Sequence, residues 1–319
     1  MTIKISNRPK MAIEYVAGTK AYYMNQGTNA YVEKVRFGDN RGRATFEQKK
    51  SSLSRLTDAN LFTHQWNATV NKYKTRNFIT DINMEPVTYS MSFRLYNKVP
   101  GGHTHLNDSV HYDLTLLNLV ANGDIANKTP GKLKYILFGS DWSVQEETYT
   151  KGYITGVQVT PRDEEGWAVD VTIDFLSVDG LWTREFTTSG DAGSASSGVY
   201  LGPDHIAFET NSPYKIKLYN TTAAQDAGFT FQLTKNSQII SVSQKCTTDE
   251  GYVVIDTLNQ ETYSNTKTNY IPYLSSRKDP FAEIPTAGVR YIRLKTPYQY
   301  ELTIYSRTTH PVIRDLDEE

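Results

Sequence analysis

Apolar and polar residues alternate with a period of two along several segments of the chain. The clearest case is residues 87–96, where every second position from Val87 to Leu95 is apolar and the positions between are smaller or polar. This is the pattern of a strand that buries one face. The same criterion predicts further strands in the first half, at residues 133–138, 149–161 and 167–176.

A helical spacing of apolar residues follows the Pro-Gly-rich stretch at residues 97–107, which we predict to be a loop. Asp108 is suited to cap a helix and Gly123 to end it. Between them apolar residues recur three or four positions apart, at Val110, Leu114, Leu117 and Ala121. We predict one helix here. The order of strand, helix and several strands indicates an N-terminal antiparallel sheet or β-sandwich with one helix against it.

The first 80 residues carry weaker patterns. Residues 2–31 are interpreted as strands or an arm. The Gly-Asn-rich segment GDNRGR at residues 38–43 is a predicted turn between two stretches that can pair. Residues 47–62 fit either of two structures: a weak helix with Leu53, Leu56 and Leu61 on one side, or an extended loop.

The length of the chain favours two domains, because single cores usually stop growing below 319 residues. Residues 187–198 (TTSGDAGSASSG) are small and polar and mark a boundary or long loop. Short strand patterns follow at residues 200–209, 214–219, 229–234, 239–244, 252–256 and 299–305, which is typical of a β-sandwich. We therefore predict an N-terminal domain at residues 1–188, a linker or loop at 189–198 and a C-terminal β-sandwich at 199–319.

Charge and cysteine content narrow the function classes. Acidic and basic residues are interspersed and the formal net charge is -1, so we expect no extended basic face and no nucleic-acid ligand. No apolar run approaches the roughly 20 residues that span a bilayer, and the N-terminal sequence lacks the apolar core of a signal peptide. We expect no membrane insertion and a protein made in a cytoplasm. The single cysteine, Cys246, is interpreted as a buried or incidental thiol.

A histidine cluster is the strongest hint of a metal site. His103, His105 and His111 lie close together in the sequence, with Asp108 among them. A His-x-His pair on a strand places two imidazoles on one face, where they can share a transition metal. These histidines instead follow Pro-Gly-Gly in a predicted loop, and the Glu of the cupin metal motif, which the pattern loosely resembles, is missing. Solvated loop histidines are the preferred interpretation, and we predict no cofactor.

The acidic and nucleophilic residues form no catalytic constellation. Asp170 and Asp174 share a strand face by period, but glycoside hydrolysis needs two carboxylates on opposite sides of the scissile bond. The other acidic candidates, residues 163–165 and Asp179, are scattered. The sequence contains neither a phosphate loop nor a nucleophile elbow. We therefore predict that the protein is not an enzyme, with a wall-degrading hydrolase as the disfavoured alternative.

Carbohydrate binding is the sharper alternative without catalysis, because a sugar ring stacks on an aromatic side chain while its hydroxyls bind polar groups. The four tryptophans are Trp66, Trp142, Trp167 and Trp182. None lies in the predicted C-terminal domain at residues 199–319, where a lectin-like sandwich would need one. The tryptophan distribution therefore disfavours a sugar site in the C-terminal domain.

A set of segments follows one another in a distinctive order. VDGLWTREFTT at residues 178–188 comes directly after the alternating strand at 167–176. Then come SPY at 212–214, GYVVIDT at 251–257, KDPF at 278–281, IP at 284–285 and GVRYI at 288–292. Taken in this order over residues 83–312, they resemble the distal tail proteins of siphophages, which are baseplate hub subunits. The first 80 residues lie outside the resemblance and can be an extra arm or insertion.

The resemblance implies an N-terminal belt domain that forms a hexameric ring continuing the tail tube. It also implies a C-terminal galectin-like β-sandwich that serves as a docking platform on the virion. The partners expected on this basis are the major tail tube protein, the tape measure, the tail-tip or tail-associated protein, and receptor-binding or other baseplate proteins. The strands at residues 87–96 or 149–159 could join ring neighbours by sheet extension.

The galectin sugar motif is not present, because His205 is followed by IAFE and not by the Asn and Arg that the motif requires. In the family that the segments resemble, the sandwich serves as a scaffold. The function predicted is therefore a structural hub of a bacteriophage tail. The alternative is a carbohydrate-binding receptor-recognition protein of the tail tip.

Overall fold

The computed structural model of the chain describes residues 10–25, 28–38, 53–73, 76–96, 108–138, 144–161, 168–190, 199–201, 210–219, 225–233, 239–246, 251–269, 271, 281–284, 292–295 and 298–311. These parts form eighteen strands and one helix. The paired strands whose registers are described run antiparallel. The predicted class, a mainly β protein with one helix, is confirmed.

The chain divides into two compact units. The first unit is Met1–Trp182 with Thr309–Val312, and the second unit is Thr183–Thr308 with Ile313–Glu319. The predicted linker at residues 189–198 is described only at its first two residues, which end a strand. The boundaries predicted for the two domains stay a prediction.

The first unit contains the helix and nine strands. Their bounds are β1 (Lys10–Asn25), β2 (Thr28–Gly38), β3 (Leu53–Ala59), β4 (Trp66–Tyr73), β5 (Arg76–Met84), β6 (Val87–Tyr96), α1 (Asp108–Asn127), β7 (Gly131–Phe138), β8 (Val144–Pro161) and β9 (Ala168–Ser177). Strand neighbours run β3-β6-β9-β8-β7-β1-β2, and β4 pairs with β5. The alternating segments at residues 87–96, 133–138 and 167–176 therefore became β6, β7 and β9, within one or two residues of prediction.

The long strand β8 joins two neighbouring strands of the sheet. Its first half pairs with β7, its second half pairs with β9, and Gly152 belongs to both pairings. A side chain at Gly152 would meet the carbonyl oxygen of Leu176 at 1.9 Å, so only glycine allows this close approach. A register shift between Ile154 and Gly156 marks a bulge in the pairing with β9, and a bulge locally bends a strand.

The core of the first unit lies between β6 and β9 on one side and β1, β7 and α1 on the other. Tyr89, Met91 and Phe93 are each at most 1% exposed, as their alternation predicted. The rings of Tyr15 and Phe175 meet edge to face with centroids 6.0 Å apart. Of the described side chains of the helix, three apolar ones are buried in this core: Leu117, Val120 and Ala121.

The second unit contains two antiparallel sheets. Its strands are β10 (Trp182–Gly190, starting at the border), β11 (Val199–Leu201), β12 (Tyr214–Tyr219), β13 (Gln225–Leu233), β14 (Ile239–Cys246), β15 (Tyr252–Asp256), β16 (Glu261–Ser264), β17 (Ile292–Lys295) and β18 (Gln299–Thr308). The strand orders are β16-β15-β12-β18-β10 and β11-β17-β13-β14. On β12 every second residue from Tyr214 to Leu218 is buried. The galectin-like form of this unit stays a prediction.

Two elements of the first unit were predicted wrongly. The helix has a different end, and residues 47–62 have a different type of structure. The helix runs past Gly123 to Asn127, because Lys128, with φ of 53°, supplies the left-handed residue that ends it. The described part of residues 47–62 includes strand β3, which pairs with β6. It therefore forms neither the predicted helix nor a continuous loop. The leucine spacing was therefore misread, and pairing to a neighbouring strand decided the structure.

The predicted pairings are tested only in part. The turn at residues 38–43 lies outside the described residues after Gly38, so pairing of the stretches on either side of it stays a prediction, and β2 pairs with the preceding β1. Of the strands proposed as ring-forming edges, β6 pairs with β9 along its whole length and with β3 over residues 91–96, so that part cannot extend a sheet into a neighbouring subunit. β8 pairs with β7 through its first half and with β9 through its second half, and no described register pairs the other edge of residues 153–161, so sheet extension there stays a prediction. The predicted strand at residues 200–209 is described only to Leu201.

Candidate interaction surfaces

Hairpin β4–β5 is the most unusual surface of the first unit. Among the described strands, these two pair only with each other, from Trp66 opposite Met84 to Tyr73 opposite Arg76. A two-stranded hairpin alone is at best marginally stable in water. The hairpin therefore gains from a further contact along its length.

The base of this hairpin is fixed to the first unit. Leu61 is 2% exposed and lies in the core. The Glu85 amide donates to the Gln65 carbonyl at 3.0 Å, and the Asn60 amide donates to the Ser90 carbonyl at 2.9 Å. The hairpin thus leaves the body of the unit from an ordered base.

Apolar side chains are exposed on and beside the hairpin. Phe62 is 58% exposed, Trp66 45% and Val70 54%. Apolar residues exposed together mark an interaction surface more often than single ones do, and tryptophan is enriched at protein interfaces. The alternation of Trp66, Ala68 and Val70 with polar residues was a sequence signal for this strand, but it was missed.

The described edges of the first unit's sheet are β2 and β3. In the pairings that the structure describes, β2 has β1 as its neighbour and β3 has β6. An edge strand presents free amide and carbonyl groups that another chain can pair with. β2 and β3 are therefore candidates for sheet extension. The sequence had assigned this role to residues 87–96 or 149–159.

A buried carboxylate fastens the helix to β1. Asp124 is 0% exposed. It accepts hydrogen bonds from the Tyr15 hydroxyl, from the Gly18 amide at 3.0 Å and from the Thr19 amide at 2.7 Å. These donors lie next to the register shift of β1 between Val16 and Ala21. Burial, and then the bond to Asp124, raise the pKa of Tyr15 above its ordinary value, so the hydroxyl keeps its proton.

The predicted metal candidates are not brought together by any described contact. His103 and His105 lie outside the described residues, and His111 lies on α1 in a part whose side chains are not described. Among the described residues, no group of three or more histidine, cysteine or acidic side chains could hold a metal ion. The metal site at these histidines is therefore neither supported nor excluded by geometry.

Of the two aspartates considered for hydrolysis, Asp170 and Asp174, the first forms an ion pair within the sheet. Asp170 pairs with Arg94 across β6 and β9, with Arg94 Nε 2.9 Å from Asp170 Oδ1. Asp174 lies on the same face, opposite Ser90. An ion-paired Asp170 is a poor general acid, because the guanidinium favours its charged form. Residues 163–165 lie outside the described parts.

The outer face of β12 in the second unit is rich in tyrosine and lysine. The Lys217 ammonium lies 4.6 Å from the centre of the Tyr219 ring and 4.5 Å from that of Tyr252. The Tyr219 hydroxyl donates to Glu301 Oε1 at 2.6 Å. A hydrogen bond with Tyr219 raises the pKa of Lys217, so the amine stays charged. Lys215 lies 3.7 Å from the Asp256 carboxylate on the same sheet.

Three of the segments that carry the sequence resemblance meet in the second unit. Ser212 and Ile284 exchange two backbone hydrogen bonds of 2.9 Å. The Tyr214 amide donates to Thr257 Oγ1 at 2.7 Å, and the Thr257 amide donates to the Tyr214 carbonyl at 2.9 Å. Residues 212–214, 251–257 and 284 thus form one hydrogen-bonded junction, which gives their order a structural reason.

Known structures share this fold. No protein-family model and no curated protein matches the chain. The Dit protein (gp 19.1) of phage SPP1, described as a paradigm of the hub adsorption apparatus in phages infecting Gram-positive bacteria, is similar over 93% of this chain and 99% of its own. Its TM-score is 0.53 at 12% sequence identity. A chain of the phage P2 baseplate in its activated conformation with Ca covers 95% of this chain, with TM-score 0.48 and 12% identity.

We take the fold assignment from the SPP1 protein, which has the higher TM-score. The chain has the fold of a phage hub protein, and the resemblance to distal tail proteins is confirmed at the level of the fold. In the described part of the chain, no helix is long and apolar enough to cross a membrane.

Proposed function

We propose that this chain is a structural subunit of a bacteriophage tail, a distal hub at the baseplate that acts through its interfaces and has no active site. The observation that carries the proposal is the fold shared with SPP1 Dit over 99% of that protein. The surfaces described above supply what such a role requires. They are a two-stranded hairpin with exposed apolar residues, two sheet edges, and a second unit with its own sheets.

The subunit assembles into a ring of six in this proposal. A closed ring uses head-to-tail contacts between two different surfaces of the same chain. Hairpin β4–β5 is one such surface, since covering Trp66 and Val70 on a neighbour removes apolar area from water. The edge strands β2 and β3 are the complementary candidates, because pairing there satisfies their outer backbone groups.

The two units then have different partners. The ring of first units continues the tail tube and binds the major tail tube protein, with the tape measure and the tail-tip or tail-associated protein at the same axis. The second units dock receptor-binding or other baseplate proteins. The assembled protein resides in the virion tail tip.

The ring is tested by light scattering after size exclusion and by negative-stain microscopy of the purified chain. We expect six-fold rings that form more completely as concentration rises. Trp66→Ser with Val70→Ser should abolish them while leaving the monomer folded, because both side chains are solvent-exposed. Val178→Ser is the matched control, because Val178 is 49% exposed elsewhere in the first unit.

Several outcomes would contradict the proposal. Trimers, or monomers both alone and with a tail tube protein, would argue against a six-fold hub. Rings that persist in the Trp66→Ser and Val70→Ser variant would remove the hairpin from the interface. Release of reducing sugar from purified bacterial wall by the chain would contradict a role without catalysis.

A further inference from the structure

An open pocket lies at the edge strand of the second unit's five-stranded sheet. It has a volume of about 250 Å³ and is lined by Tyr263, Ser264, Asn265, Thr266, Lys267 and Thr268. One wall is an aromatic ring, and the rest carries hydroxyl, amide and ammonium groups. This combination of an apolar ring face with convergent polar groups is how proteins bind sugars.

The loop that forms the pocket is held by its own hydrogen bonds. The Ser264 amide donates to the Lys267 carbonyl at 2.8 Å. In return, the Lys267 amide donates to Ser264 Oγ at 3.0 Å, and the Thr266 amide donates to the same oxygen at 3.3 Å. The Ser264 hydroxyl oxygen therefore already accepts two hydrogen bonds from within the loop. A loop already in its binding conformation loses little entropy when a ligand arrives.

The exposed polar side chains on the pocket's surface are those of Asn265, Thr266 and Thr268, and the Thr266 hydroxyl also lies 3.4 Å from Ser264 Oγ. An amide and two hydroxyls can each donate and accept. They therefore match a ligand whose own hydroxyls do both. A purely cationic or anionic ligand would use only half of their capacity.

The charges beside the pocket are largely compensated within the protein. Asp256 is 2% exposed, and its carboxylate accepts hydrogen bonds from the Leu258 and Asn259 amides, both at 3.1 Å. Lys215 lies 3.7 Å from Asp256 Oδ2 and 5.9 Å from the centre of the Tyr263 ring. This ion pair compensates the Lys215 charge, and Lys267 is the cationic residue among those that line the pocket. An ammonium donates to sugar hydroxyls as amides do.

We propose that this pocket binds a neutral saccharide, with the Tyr263 ring stacking on the apolar face of one sugar unit and Asn265, Thr266 and Thr268 hydrogen-bonding its hydroxyls. The site goes beyond a hub role, because it gives the second unit a direct ligand on a bacterial surface. It also removes the objection to a sugar site that the positions of the tryptophans raised. Residues 199–319 contain no tryptophan, but Tyr263 supplies the aromatic face in its place.

The probe is an array of neutral hexose and N-acetylhexosamine oligosaccharides, with sialylated and sulfated glycans beside them. The full-length chain should bind neutral glycans on this array. Titration of a bound oligosaccharide should then show that Tyr263→Leu weakens binding about tenfold and Tyr263→Phe by less than about twofold, because phenylalanine keeps the stacking face. Asn265→Ala should also weaken binding, and it changes only an exposed loop side chain.

Tyr252→Leu is the matched control, since Tyr252 lies on the neighbouring strand outside the pocket. It should bind like the unmodified chain. No binding to any neutral glycan, or binding to anionic glycans alone, would overturn the proposal. Equal losses in Tyr252→Leu and Tyr263→Leu, with Asn265→Ala unaffected, would also overturn it. Ring formation is measured separately, so each proposal can fail without the other.

Discussion

Asp124 shows how much one residue decides about the first unit. Its carboxylate joins α1 to the irregular part of β1, and all three of its hydrogen-bond donors come from that strand. A buried carboxylate is costly unless hydrogen bonds replace its lost water. Here three donors do so, and the register shift in β1 is what aims the Gly18 and Thr19 amides at it.

Asp124→Asn should therefore destabilise the first unit by about 2 kcal/mol, since an amide cannot accept from all three donors and leaves one buried donor unpaired. Tyr15→Phe should cost less, about 1 kcal/mol, because the two backbone donors still reach Asp124. Urea unfolding followed by tryptophan emission measures both. All four tryptophans lie within residues 1–182, so the signal reports the first unit. Equal stability of Asp124→Asn and the unmodified chain would refute the anchoring role.

At the scale of elements, the end of α1 explains a failed prediction. The Thr129 amide donates to the Asp124 carbonyl at 3.0 Å, and the Lys128 amide donates to the Ile125 carbonyl at 3.2 Å. These two bonds form a Schellman motif, whose left-handed position is usually glycine. Lys128 occupies that position with φ of 53°. Gly123 lies one turn earlier, inside the helix, so the sequence signal pointed to the wrong residue.

Moving glycine to where the motif requires it should stabilise the helix. Gly123→Ala should raise the free energy of unfolding by about 1 kcal/mol, because a Cβ there meets nothing within 4 Å. Lys128→Gly should add about 1 kcal/mol by relieving the left-handed conformation. Gly152→Ala is the opposite control, since its Cβ collides with the Leu176 carbonyl. Urea unfolding of the first unit checks the three signs, and a loss of stability in Gly123→Ala would contradict the account.

Strands with strong alternation were predictable, and strands defined by their neighbours were not. β6 was predicted over its full length because burial of one face imposes the period of two directly on Tyr89, Met91 and Phe93. β3 carries leucines at a spacing that also fits a helix, and only pairing with β6 makes it a strand. β6 and β8 lie inside the strand order because they pair with strands that are distant in the sequence. The local pattern of residues does not show such pairing.

The candidate sites were harder to predict from the sequence than the fold was. The pocket at Tyr263 depends on a six-residue loop folding back on Ser264, and its members are ordinary polar residues in the sequence. The exposure of Trp66 depends on the absence of a third strand beside β4 in the described sheet. Aromatic residues were counted correctly, but whether a ring is buried like Trp182 or exposed like Trp66 is a property of the tertiary structure.

At the scale of the whole molecule, each unit contains a tyrosine whose titration is coupled to folding. Burial raises the pKa of Tyr89 in the first unit to about 12, although the neighbouring Trp182 indole lowers it in part. In the second unit, burial and then the nearby Asp256 and Glu185 carboxylates raise the pKa of Tyr305 to about 12. In the unfolded chain both tyrosines titrate near their ordinary value of about 10.

Both units should therefore lose stability in alkaline solution. A raised folded-state pKa means that the folded chain holds the proton more tightly, so the stabilisation is complete below about pH 10 and is lost as pH rises towards about 12. For the buried Tyr89 the loss amounts to about 3 kcal/mol. Urea unfolding across this range should show it in tryptophan emission, which reports the first unit, and in far-ultraviolet circular dichroism, which reports both. Tyr89→Phe should reduce the pH dependence of the transition in both emission and circular dichroism, and Tyr305→Phe should alter only the circular dichroism. A pH dependence unchanged in both variants would mean that other groups cause the alkaline loss.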